Sequence, residues 1–135
     1  MKSILTKEKG QSLIEFALIL PILLILVGGI IDFGWLFYNQ SSLNNAAREG
    51  ARYAIVQTAK TERIQLITNK INSVTPQSLK PVTIEISYSN MQTPLLGDVT
   101  IKLSSQVRIL TPVMGVFVSG QKRTLSAQAT MKVES

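Results

Sequence analysis

In the stretch KGQSLIEF, residues 9–16, Glu15 is the last charge before sixteen consecutive uncharged residues, FALILPILLILVGGII, from Phe16 to Ile31. A carboxylate at the edge of lipid is costly unless it reaches the headgroups or meets a cation. The chemistry open to it is electrostatic pairing. The rest of the chain offers no catalytic alternative. It has no histidine and no cysteine, which removes thiol nucleophiles, the usual zinc sites, disulfides and histidine general bases. Without a glycine-rich phosphate loop or clustered carboxylates, no catalytic residue, metal or cofactor is expected, and the chain is not expected to be an enzyme.

What must position Glu15 is the apolar run itself. A bilayer core of ~30 Å takes ~20 mostly apolar residues at 1.5 Å each. Continuing from Ile31 through Asp32 to Phe33, Leu36, Phe37 and Tyr38 reaches that length, and Trp35 and Tyr38 suit the aromatic belt where hydrocarbon meets water. A transmembrane helix is predicted over residues 11–38. Pro21 removes one helical N–H, leaving the Ala17 carbonyl without its usual partner. Gly28, Gly29 and Gly34 permit close helix approach near the far leaflet, and Asp32 reads as an interfacial residue or a partner for a cation on another subunit.

The net charge of +6 falls entirely beyond the span: residues 1–38 balance Lys2, Lys7 and Lys9 against Glu8, Glu15 and Asp32, whereas residues 39–135 hold eleven Lys/Arg against five Asp/Glu. These charges are scattered, so the excess reads as a solvated surface, and nucleic acid is not an expected partner. The three lysines before the span favour a cytoplasmic N-terminus with the larger domain outside. The sequence WLFYNQSSLNN that follows the apolar run lacks a convincing A-x-A cleavage site, so the better candidate cut lies before that run, after Gly10.

The leader MKSILTKEKG, the Gly10–Gln11 junction, Glu15 as the fifth residue after Gly10, and the apolar helix that follows resemble a type IV prepilin. The run EFALILPILLILVGGIIDFGWLFYNQSSLNNAAREGARYAI is similar to the TadE-like family, the pseudopilins of the Tad (Flp) pilus machinery, and LSAQATMKVE, residues 125–134, resembles that family's closing strand. Phe16 stands where the short major Flp pilins carry tyrosine, which points to a minor component. The resemblance implies processing by a prepilin peptidase at Gly10 and Gln11. It also implies that Glu15 docks the subunit by neutralising the new N-terminal amine of a neighbour, and that other pilin or pseudopilin subunits and the assembly platform are partners. The implied location is the cytoplasmic membrane, single-pass, or the pilus. An uncleaved, signal-anchored binding module, for adhesion or for binding DNA or a surface, is the other open reading.

Beyond the membrane the helix is expected to continue to about Ala59. Ala46, Gly50 and Ala54 recur every four residues and make a narrow small-residue face for helix packing, either on the chain's own domain or on another subunit. Arg48 and Arg52 share the adjoining face as candidate partner contacts. A second helix is predicted at 61–74, with Thr61 as N-cap and a stripe of Ile64, Ile67, Ile71 and Val74.

The last third alternates apolar and polar residues with a period of two in PVTIEISYS, DVTIKLSSQVRIL and LSAQATMKVE, with Ser105 the one exception on its face. These segments predict three antiparallel strands with one wet face. The connection 111–124 is too apolar for an ordinary loop and buries something, in its own head, on a partner or at the membrane, with Phe117 the candidate partner contact. The expected architecture is α+β and type IV pilin-like: a leader (1–10), a transmembrane helix (11–38), and an exported head (39–135) in which a short helix and a three-stranded sheet pack the long helix.

Overall fold

A computed structural model describes residues 2–56, 62–90, 97–117 and 120–133, with residues 2–9, 114, 116 and 117 described by backbone alone. Helix α1 runs unbroken over Lys2–Val56 and continues through Pro21. At 1.5 Å per residue it is ~80 Å long. Its two halves differ in kind. Every residue from Gln11 to Val27 is exposed. From Gly28 onward one stripe is buried: Gly28, Asp32, Asn39, Leu43, Ala46, Ala47, Gly50, Ala51 and Ala54 follow steps of three, four and seven, the repeat of a single helix face.

The head is built on that stripe. Helix α2 (Arg63–Val74) is followed by a 3₁₀ turn (Gln77–Leu79), strand β1 (Val82–Tyr88), strand β2 (Gly97–Arg108), helix α3 (Pro112–Phe117) and strand β3 (Lys122–Val133). The sheet order is β1-β2-β3, antiparallel throughout, with Ile84 opposite Leu103 and Leu103 opposite Ala127. The alternation of apolar residues fixes this register, because a slip of one residue would turn the apolar set of each strand to water. Val99, Ile101, Leu103 and Val107 are buried on the dry face, where α1 covers β2 and β3 while α2 packs on α1 and reaches β1. The expected α+β arrangement is the one observed.

Ser105, the polar exception on that face, is buried and donates its hydroxyl proton to the Leu79 carbonyl, so its burial leaves no unmet hydrogen bond at the hydroxyl. In α2 the buried stripe is Arg63, Ile67 and Ile71, while Ile64 is exposed. Arg63 thus takes the place expected of Ile64 at the start of the stripe, while Ile67 and Ile71 hold theirs and Val74 packs half-buried against the core. The Arg63 guanidinium lies 5.7 Å from the centroid of the Tyr88 ring, a cation–π position that lets a charged residue take a core place. Thr61 lies outside the described residues, and Glu62 occupies the N-cap position without a side-chain capping bond.

Candidate docking and processing site

Gly10, Gln11 and Glu15 all lie within α1, on the part of the helix that is not buried by the described residues of the head. A Cβ built on Gly10 would meet no heavy atom within 4 Å, so no packing requires glycine there. Gln11 and Glu15 are one helical turn apart, and the Gln11 side-chain amide donates to Glu15 Oε1 at 3.2 Å. The carboxylate thus faces the same side of the helix as the residue whose amine a cut after Gly10 would free. Both are exposed. Leu13, Ile14, Phe16, Leu18, Ile19 and Ile22 are each at least 59% exposed around the full circumference, which leaves this half of α1 for lipid or for other helices. Among the described residues one helix is long and apolar enough to cross a membrane, and it is this one.

The join between span and head is made by polar groups. Asp32 is fully buried. One of its oxygens accepts the backbone N–H of Leu110 at 3.1 Å and of Thr111 at 2.9 Å, and the other accepts the Thr111 hydroxyl. These charge-assisted bonds satisfy two amides that precede the short helix α3. Below them, Gly28 packs under α3, where a Cβ would make ordinary van der Waals contact with Val113 Cγ2 at 3.4 Å. One turn above, Trp35 donates its indole N–H to the Arg108 carbonyl at 3.1 Å. Next, Asn39 donates to the Trp35 carbonyl at 2.8 Å and accepts the Ser78 hydroxyl at 2.6 Å, and Gln40 donates to the Ser126 carbonyl at 2.9 Å. The head is therefore latched along α1 from Gly28 to Gln40 before the small-residue packing begins. Asp32, read from sequence as interfacial or as pairing with another subunit, has its partners within its own chain.

The other candidate residues separate by face. Ala46, Gly50 and Ala54 are buried in the chain's own core. A Cβ on Gly50 would lie 2.7 Å from Ile71 Cγ1, so glycine is needed for α2 to cross α1 this closely. Arg48 and Arg52 are exposed on the outward side of the same turns. The two groups do not converge on one site. Phe117 ends α3, and its side chain lies outside the described residues. Sequence reasoning missed Asn39, Arg63 and the latch made by Asp32. A polar residue repeating at seven positions (Asp32, Asn39) on the stripe that continues into Ala46 was the available signal for the latch.

Among the described residues no group of three or more acidic, histidine or cysteine side chains is placed to hold a metal. Neither a curated protein nor a solved structure matches the chain. Residues 10–52 match the family model described as TadE-like protein, the family that the junction at Gly10 and the long helix resemble. The matched stretch takes in the bare span, the Asp32 latch and most of the small-residue face, and over it the chain carries the signature of the TadE-like family.

Proposed function

We propose that this protein is a membrane-anchored pseudopilin of the Tad (Flp) pilus assembly system, cut after Gly10 by a prepilin peptidase and docked to other subunits through α1. The single observation that carries the reading is the TadE-like match over residues 10–52, on a helix exposed at every residue from Gln11 to Val27. Glu15 supplies the specificity. In lipid or among packed helices its charge needs a partner, and the ammonium freed on Gln11 of a neighbouring subunit is the cation the cut creates. Two unit charges ~4 Å apart interact by ~4 kcal/mol at an effective dielectric of ~20, and desolvation offsets part of that. The pairing therefore sets register between subunits more than it adds affinity. Because Ala46, Gly50 and Ala54 are used inside the head, contact between subunits falls to residues 11–27 and to the outward face bearing Phe33, Phe37, Arg48 and Arg52.

The test is Glu15→Ala in cells that lack the chromosomal copy. The variant is expected to be processed and to fold its head normally while pilus assembly fails. Normal assembly with normal processing would remove the docking role.

A further inference from the structure

At one end of its solvent face the sheet holds a basic hollow of about 630 Å³, bounded by Lys80, Thr83, Ser104, Arg108, Lys122 and Thr124. Arg108 and Lys122 are register partners on adjacent strands, and Thr83 faces Ser104 across the other strand pair. Among the described residues no carboxylate lines the hollow. Among the described residues none of its three cations has an ion-pair partner, since the one pair is Lys102 with Glu85, further along the sheet. Like charges directly opposite each other on a sheet repel. Three cations set among hydroxyl donors with no counter-charge make an arrangement that an oxyanion would complete.

The latch fixes the height of this end of the head. Counted from Leu13, a ~30 Å hydrocarbon core of ~20 residues ends at Asp32, and counted from Phe16 it ends at Trp35. The headgroup layer adds ~5–7 Å, or about four residues of helix, which reaches Asn39. The attachments of the hollow straddle that band: counted from Leu13 it takes in Trp35, which holds the Arg108 carbonyl at 3.1 Å, and counted from Phe16 it takes in Asn39, which holds Ser78, two residues before Lys80, at 2.6 Å. We infer that the hollow at Lys80, Arg108 and Lys122 binds the phosphate of an anionic phospholipid headgroup in the leaflet beneath the head. The lipid would set the height and tilt of the head on its helix. This assignment rests on the anchored placement proposed above.

The test uses the full chain in nanodiscs of phosphatidylcholine with a minor share of phosphatidylglycerol, reading which lipids remain bound by native mass spectrometry. Phosphatidylglycerol is expected to be retained preferentially. Near a membrane surface each cation contributes a factor of roughly five, so the triple variant Lys80→Gln, Arg108→Gln, Lys122→Gln should lose on the order of 100-fold in preference at most. A control of equal charge change, Lys70→Gln, Lys102→Gln, Lys132→Gln, should keep the preference. Equal loss in both variants would reduce the effect to net charge and overturn the site. Inorganic phosphate or glycerol phosphate bound equally well by the chain in pure phosphatidylcholine discs, and lost in the first variant, would overturn the lipid assignment in favour of a soluble ligand. Failure of the wild-type chain to enter discs or to float with neutral vesicles would refute the anchor itself, and the site with it. Entry without lipid preference refutes the site alone.

Discussion

Removing the Asp32 carboxylate should loosen the head from its helix at a defined place. Asp32→Ala leaves the Leu110 and Thr111 amides and the Thr111 hydroxyl without their acceptor, in a position where the carboxylate was fully buried. Hydrogen bonds to a charged acceptor contribute ~1.5–3 kcal/mol each. Three that share one carboxylate do not add, and the smaller side chain admits water to part of the gap. A loss of ~3 kcal/mol for this attachment is therefore expected. Asp32→Asn is the discriminating control. Its one carbonyl oxygen can still accept both amides, as Oδ1 does now, while its NH₂ can donate to the Thr111 hydroxyl oxygen. The cost should fall to ~1 kcal/mol. Amide hydrogen exchange on the full chain in micelles reads the difference directly. At ~1.4 kcal/mol per tenfold, protection of Leu110 and Thr111 should fall ~100-fold in the alanine variant and ~5-fold in the asparagine variant. Protection in the sheet, at Ile101 and Leu103, should remain within a factor of a few of wild type. Unchanged protection of Leu110 and Thr111 in Asp32→Ala would refute the latch.

Two further variants probe the packing of the head on α1, both read by thermal or denaturant unfolding. Gly50→Ala places a methyl group 2.7 Å from Ile71 Cγ1, and overpacking of ~1–3 kcal/mol should outweigh the ~1 kcal/mol that alanine contributes as a helix former. Shortening the obstacle with Ile71→Val should recover part of the loss. Leu43→Ala removes a fully buried side chain and should cost ~2–5 kcal/mol, with the bare span unaffected.

Much of this architecture is legible in the residues because periodicity reports burial. The alternation in VTIEISY, DVTIKLSSQV and LSAQATMKV names three strand faces that the sheet turns toward the core, fully buried in β2 and half-buried along most of β1 and β3, and the uncharged run from Phe16 names a helix that is exposed as far as Val27. Composition cannot show where a head sits along such a helix. That position is set by single long-range bonds, such as Asp32 to Leu110 and Thr111, 78 and 79 residues apart. An acidic residue beside Ile31 and Phe33 has the same local signature whether it faces lipid headgroups, another subunit or its own loop. The same limit applies to Arg63. Its long apolar stem and cation–π contact with Tyr88 let it displace Ile64 from the buried face, a choice that hydropathy ranks the wrong way. For Ala46, Gly50 and Ala54 the spacing predicted a close packing face without saying against what. Ile71 and Ile101 occupy it. The relative placement of Gly10, Gln11 and Glu15 follows for a different reason: they lie within six positions of one another on one helix, so spacing alone gives it.

The most direct test of the pseudopilin reading is the mass of the mature N-terminus, measured on the protein recovered from membranes of cells with and without their prepilin peptidase. The account predicts a chain beginning at Gln11 when the peptidase is present, and one that retains residues 1–10 when it is absent. A chain that keeps its leader in both strains, or that is cut after residue 38 in either, would contradict it.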